Sequence, residues 1–296
     1  MSPRRAARSF LLNLAALLLI LFVAGPFVWV VLASLQGEND LLKRPPSVFE
    51  HPTLDNYNYV FTGKIPTSYE VKGQLRSRIT QEARMIAPAL VNSFIVALSV
   101  MAINLALGTP AAYTFSRLRF RGRGGIYNFV LGSRLMPAMA VAIPYYVIVQ
   151  ALGLIDTKIS LILVDCALTL PFTIWFLTLY INNVPRDMEE AGMVDGCTTA
   201  QALRRIVVPM MLPGLVATAA FAFMSSYNEF LFARFLTQSL RSQTGPVVIA
   251  SVAGNPDASY SLISVCMTLG LVPPLILAIV LRKRLTEGLS SSVTFR

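Results

Sequence analysis

Six stretches of the chain are apolar almost without interruption: Phe10 to Leu35, Ile86 to Phe115, Ile126 to Ala151, Ile159 to Ile181, Gly214 to Phe235 and Ser261 to Leu281. A membrane helix needs about 20 apolar residues to cross roughly 30 Å of hydrocarbon, so each is long enough. The pattern predicts an all-α membrane protein with six transmembrane helices. The first stretch follows Arg4, Arg5 and Arg8, as in a signal peptide, but its 26 residues exceed the about 7 to 15 of a signal core, so a retained helix is expected. Gly25-Pro26, Gly108 to Pro110, Pro137, Pro144, Pro171 and Pro273-Pro274 fall inside spans, where membrane helices tolerate them as kinks.

The polar intervals divide the chain. Gln36 to Met85 holds Pro45, Pro46, Pro52 and Pro66 and sets off the first helix, giving a part of residues 1–85 and a five-helix core of residues 86–296. Basic residues set the orientation. One side carries Arg4, Arg5 and Arg8, then Arg117, Arg119, Arg121 and Arg123, then Arg186, Arg204 and Arg205, then Arg282, Lys283, Arg284 and Arg296. The other side carries nine, seven of them in the long interval, where six acidic residues nearly cancel them. Both termini are therefore expected in the cytoplasm.

Composition removes other classes of function. Only 14% of residues are charged, against roughly 25% in a soluble domain, and the mean hydropathy is +0.61. A net charge of +10 would suggest nucleic acid in a soluble protein; here it reports topology. The Arg117 to Arg123 cluster reads as a topology determinant near anionic membrane lipid, with no nucleic-acid role. Three cysteines and the lone His51 supply no disulfide framework, metal site or buried catalytic base. Tyr145, Tyr146, Trp175 and Tyr180 lie near span ends and read as interface anchors.

The most informative interval is the 32 residues from Asn182 to Pro213. Asp187 followed by Glu190 is a helix-start signal, Gly196 a left-handed stop, Thr198 followed by Gln201 a second start, and Pro209 the expected end. The interval reads as helix, turn, helix, suited to lie along the membrane and dock on another protein.

Within it, Glu190-Ala191-Gly192-Met193-Val194-Asp195-Gly196-Cys197, followed by Ile206-Val207-Val208-Pro209, resembles the EAA motif of importer-type ABC transporter permeases. Gly192, Cys197 and Val208 replace the usual Ala, Ala and Leu with small or apolar residues. The likeness extends to Thr53 to Tyr57, Asn92-Ser93, Ala112-Tyr113, Ser116 to Phe120, Leu152 to Thr157 and Tyr227 to Phe230, which resemble the carbohydrate-uptake branch that includes the smaller maltose permease. The tail from Ser290 to Arg296 departs from that branch's Gly- and Ala-rich end.

The resemblance implies a type I ABC importer permease fold in a prokaryotic plasma (inner) membrane. It implies a second permease subunit, two copies of an ABC ATPase and an extracytoplasmic solute-binding protein as partners. It implies that Glu190, Ala191, Gly192, Asp195, Gly196, Ile206 and Pro209 form the ATPase-docking site, with Glu190 meeting a basic residue. Glu190 also suits a capping carboxylate, and Ile206 and Pro209 suit anchors of the second short helix. The chain has no G-x-x-x-x-G-K-[ST] phosphate loop, so it carries no cofactor of its own and ATP belongs to a partner.

Charges inside spans cost at least about 2.5 to 3.5 kcal/mol at a helix centre. Arg134, Asp165, Glu229 and Arg234 are such charges, and internal pairing or contact with the second permease would account for them. Arg134, Asp165, Asn228 and Glu229 are also candidates to line a sugar path, since hydroxyl-rich solutes need donors and acceptors. Permeases for a glycerol-phosphate-type or anionic sugar derivative, and a secondary transporter, are the competing functions.

Overall fold

A computed structural model describes residues 3–43, 51–65, 81–256 and 258–291, with side chains between residues 9 and 282. Pro45, Pro46, Pro66 and the tail from Ser292 lie outside the described residues, as do the side chains of Arg4, Arg5, Arg8, Lys283 and Arg284. Every described regular element is helical. Four helices are individually long and apolar enough to cross a membrane, or up to six segments if each of two bent pairs counts as one span. The chain forms two compact units.

The first unit comprises residues 1–87 with Val248–Leu271. This unit is not contiguous in sequence, because the start of the last helix packs with the N-terminal segment. Helix α1 (Pro3–Ser34) keeps Pro26 within a continuous helix. Its apolar side chains from Phe10 to Trp29 are largely exposed, a surface suited to lipid or another chain.

Short helices α2 (Glu38–Leu42) and α3 (Asp55–Thr62) follow. The last carbonyls of a helix lack intrahelical partners, and α3 supplies donors to the chain leaving α1. Buried Asn56 donates through Nδ2 to Ser34 O (3.1 Å) and Gln36 O (2.8 Å). Thr53 N donates to Leu35 O, and the Tyr57 and Ser34 hydroxyls share a hydrogen bond. The Thr53–Tyr57 motif is thus a staple on the end of α1. Glu38 satisfies the opposite kind of helix end. Its carboxylate accepts from Ser259 Oγ (2.7 Å) and from Ser261 N (3.1 Å) at the start of the last helix.

The second unit holds residues 88–247 and 272–296. It contains α4 (Ile86–Arg117), α5 (Arg123–Gly132), α6 (Ala138–Ala151) and α7 (Lys158–Asn182). The Asn182–Pro213 interval holds α8 (Arg186–Val194), α9 (Thr199–Ala202) and α10 (Val208–Met210). Helices α11 (Leu212–Tyr227) and α12 (Leu231–Leu236) follow, then α13 (Gly245–Ala253) and α14 (Tyr260–Ser291), which pass between the units. One core joins Val96 and Val100 of α4, Leu161 and Val164 of α7, and Phe232 and Leu236 of α12; a second joins Tyr113, Phe115, Leu177, Ile181, Val207 and Met211.

Two expected spans are not continuous helices: Arg123–Leu135 and Ala138–Ala151 meet at 99°, and the stretch expected from Gly214 to Phe235 is broken between Tyr227 and Leu231. The helix Thr199–Met210, which precedes that stretch, meets Leu212–Tyr227 at 83°. The first bend falls at Met136-Pro137, where proline disfavours helical backbone at the residue before it; Met136 is extended. Pro110, Pro144, Pro171 and Pro273-Pro274 remain inside continuous helices.

Asn56→Ala leaves two buried carbonyls without their donor, at roughly 1–3 kcal/mol each. The thermal midpoint of the purified protein in detergent should fall, and Asn56→Asp, which sets an acceptor against both carbonyls, should lower it further.

Candidate functional site

The Asn182–Pro213 interval is built from local rules. Helix α8 starts at Arg186 behind Pro185, with no side-chain cap, so Asp187 is a first-turn acid rather than the cap its spacing suggested, and Glu190 caps nothing. Proline disfavours helix at the residue preceding it and fits a helix threshold, which overrides the Asp187 signal. The far end follows expectation. Gly196 adopts φ +90°, Cys197 N donates to Gly192 O, and Gly196 N donates to Met193 O, the paired bonds of a glycine-terminated helix. Thr198 and Gln201 then form a reciprocal capping box.

Pro209 does not end the second helix. It lies within Thr199–Met210, where residues 203–207 form a π-turn in which Val208 N reaches Leu203 O. A proline lacks an N–H and crowds the carbonyl four residues back, and the widened turn relieves both. The break comes at Met211.

Adjacent glutamates in α8 face opposite ways. Glu190, together with Ala191, is exposed, whereas Glu189 is buried. Glu189 Oε1 accepts from Arg117 Nε at 2.6 Å, and Oε2 from the Tyr113 hydroxyl at 3.1 Å. The Arg117 guanidinium also donates to Ile181 O (2.9 Å) and Val184 O (2.6 Å), so one side chain at the end of α4 holds the end of α7 and the start of α8. Arg117, read from the sequence as a topology determinant within the Ser116–Phe120 motif, is also a buried clamp. Its signal in the sequence was a basic residue at a helix end, but the partner glutamate is 72 residues away.

Gly192 is buried against Ile206: a Cβ there would lie 2.3 Å from Ile206 Cδ1, the movable tip of that side chain. The motif therefore splits. Gly192 and half-buried Ile206 hold the two short helices together, while Glu190, Ala191, Asp195 and Gly196 are exposed beside Met188, Met193 and Val194. Pro209 is exposed as well.

The charged groups of the spans do not pair with one another among the described residues. Arg134 and Arg234 are exposed. Asp165 of α7 is buried, accepts from Ser226 Oγ of α11 through Oδ2, and leaves Oδ1 without a hydrogen bond. Asn228 donates to Met224 O at the end of α11. Glu229 accepts from Phe232 N (2.8 Å) and Ala233 N (2.9 Å) at the start of α12. In a chain that must satisfy its backbone internally, the break at 228–230 uses these side chains as substitutes for helical bonds. Trp175 and Tyr180 join Phe172, Phe176 and Phe221 in a ring cluster, with Phe172 stacked on Phe221 at 4.0 Å. Among the described residues no three His, Cys, Asp or Glu side chains gather to hold a metal.

At the other end of α7, Asp156 adopts φ +59° and ties down the turn after α12. Its Oδ1 accepts from Gln238 N and Ser239 N, both at 2.9 Å, and from Ser242 Oγ; its Oδ2 accepts from Ser239 Oγ. Partial burial disfavours the anion, but these bonds outweigh it and hold the carboxyl well below the usual carboxylate range. This stabilisation is complete above the ordinary carboxyl pKa of about 4 and is lost only as pH falls toward the depressed folded value.

Removing one partner of a buried ion pair costs about 3–5 kcal/mol. Glu189→Gln and Arg117→Ala should therefore free α8 and speed tryptic cleavage at Arg186, Arg204 and Arg205, while Glu190→Gln leaves the cleavage rate unchanged.

Comparison with known proteins agrees with this architecture. Residues 104–290 match the family described as binding-protein-dependent transport system inner membrane component. The sulfoquinovosyl glycerol transport system permease protein SmoH of Agrobacterium fabrum is 31% identical, over 92% of this chain and 90% of its own. The trehalose/maltose transport system permease protein MalG of Thermococcus litoralis is 29% identical over 96% of each chain, and the trehalose transport system permease protein SugB of Mycobacterium tuberculosis is 30% identical over 90% of each. Among solved structures, a chain of a bacterial ABC transporter for the acidic polysaccharide alginate superposes with a TM-score of 0.73 at 17% identity, covering 96% of this chain and 98% of that one, a likeness of fold. With more than half its length matched, this chain belongs to the family of binding-protein-dependent transport system inner membrane components.

Proposed function

We propose that the chain is one of two permeases in an ATP-driven importer for a sugar or glycoside. It forms half of the path and couples to a separate ATPase through α8 and the helix that follows. The observation that carries the coupling role is the division of α8: Glu189 is anchored to Arg117 inside the unit, and Glu190 stands free on the other face. A loop held on one side and offering an acid beside exposed Met188, Met193 and Val194 on the other suits docking on a basic and apolar cleft. The sugar class is supported by relatives named for trehalose, maltose and sulfoquinovosyl glycerol.

ATP is bound and hydrolysed by the partner, and the solute arrives on an extracytoplasmic binding protein. In this reading both termini and α8 face the cytoplasm of a prokaryotic cell, in line with the basic residues. Moving a two-state equilibrium from roughly 1:99 to 99:1 takes about 5.5 kcal/mol of differential binding. The α8 contact is where that energy enters. Asp165 serves here as a link between α7 and α11, and Asn228 and Glu229 hold the turn between two helix segments; solute contacts by exposed Arg134 and Asn228 remain part of the proposal.

Chains tagged and purified in mild detergent from the native membrane should bring down an ATPase and a second permease. Glu190→Lys should lose the ATPase and keep the permease. Recovery of the chain alone, with solute uptake driven by an ion gradient without ATP, would replace this reading with a secondary transporter.

A further inference from the structure

Helix α5 has three faces, since successive residues turn by about 100°. Tyr127 and Val130 fall on one, and both pack on the core at the ends of α4 and α7, with the Tyr127 and Phe115 rings 5.2 Å apart. Ile126 and Phe129 fall on the second, exposed at 49% and 80%. Gly124 and Asn128 fall on the third, both exposed, and the Asn128 side chain has no hydrogen-bond partner among the described residues.

An unpartnered amide is out of place against hydrocarbon, and α5 need not cross it. Arg123–Leu135 meets Ala138–Ala151 at 99°, so only one of the two can follow the membrane normal. That one is α6, whose Ala142 and Val149 are buried with Val96 and Val100 of α4 and Leu161 and Val164 of α7. Its 14 residues reach about 21 Å. A helix lying in the interface sinks about 5–10 Å into the edge of the apolar layer, and the two lengths together match its thickness of roughly 30 Å.

The turn leading into α5 carries exposed Arg119, exposed Arg121 and half-buried Arg123, whose side chains make no ion pair or hydrogen bond among the described residues. No Asp or Glu occurs between Arg117 and Asp156. The segment thus sets uncompensated cations at the start of a helix with an exposed apolar flank. A phospholipid with an anionic headgroup has the complementary form, negative at one end and apolar beyond it.

We propose that α5 lies along the inner face of the membrane as a binding surface for anionic phospholipid. Arg119, Arg121 and Arg123 take the headgroup phosphate, Ile126 and Phe129 enter the acyl region, and Asn128 stays in water. The choice of leaflet rests on the orientation given under the importer reading; the surface rests on α4, α5 and α6 alone. The arginine-bearing turn begins directly after Arg117, so lipid that holds it also holds the end of α4 from which α8 is clamped.

The protein recovered from its native membrane, with whatever subunits accompany it, is placed in nanodiscs of equimolar phosphatidylglycerol and phosphatidylcholine. A photo-crosslinking residue in place of Phe129 should form lipid adducts, and one in place of Asn128 should not. Mass spectrometry should find the Phe129-site adducts enriched in phosphatidylglycerol. Arg121→Gln should cut that enrichment about fivefold, Arg121→Lys should keep it, and changing Arg119, Arg121 and Arg123 together to Gln should abolish it. Adducts with another protein at the Phe129 site, equal lipid labelling from both sites, or enrichment that is absent in the wild type or survives the triple change overturns the surface. None of these outcomes touches the importer reading, which is decided by the subunits that co-purify.

Discussion

The Arg117–Glu189 pair is the interaction on which the placement of α8 depends. Besides its own bond, the pair gathers three others: Arg117 donates to the Ile181 carbonyl of α7 and to the Val184 carbonyl, and Glu189 accepts from the Tyr113 hydroxyl of α4. A buried ion pair is weak evidence of net stability, because desolvation offsets much of its attraction. Its effect is on geometry. An unpaired charge there is far more costly than the pair, so arrangements of α8 that separate Glu189 from Arg117 are excluded.

The same logic recurs where the spans break. A chain in lipid must provide every backbone group with a partner, and a continuous helix does so automatically. Where the helix stops, side chains take over: Asn56 beyond α1, Glu38 before α14, Asn228 and Glu229 between α11 and α12, and Asp156 at the turn beyond α12. Polar residues in this apolar sequence are spent largely on its own interruptions. That is why a charge inside a span is an ambiguous sign of a solute path.

The hydrophobic pattern made the apolar, all-helical membrane class legible, and turn chemistry made Gly196 and the Thr198–Gln201 box legible, because each is decided by neighbours in sequence. Features decided by distant contacts were not. Arg117 looked like a topological charge because its partner is on another helix. Glu190 drew attention over Glu189 because the motif names it, yet only packing shows that the two neighbours face opposite ways. The bend at Pro137 and the continuity through Pro110 and Pro171 are also beyond sequence reach, since proline permits a kink and tertiary packing decides whether it is used.

Consecutive residues on a helix are turned about 100° apart, and Glu189 and Glu190 exploit that angle. The inward half of α8 is written in the language of this subunit and the outward half in that of whatever meets it. Under the importer reading, the outer half is free to follow changes in a partner by substitution at Met188, Glu190, Ala191, Met193 and Val194, with Arg117, Glu189 and Gly192 untouched. An inherited permease could in this way be refitted to a different motor without being refolded.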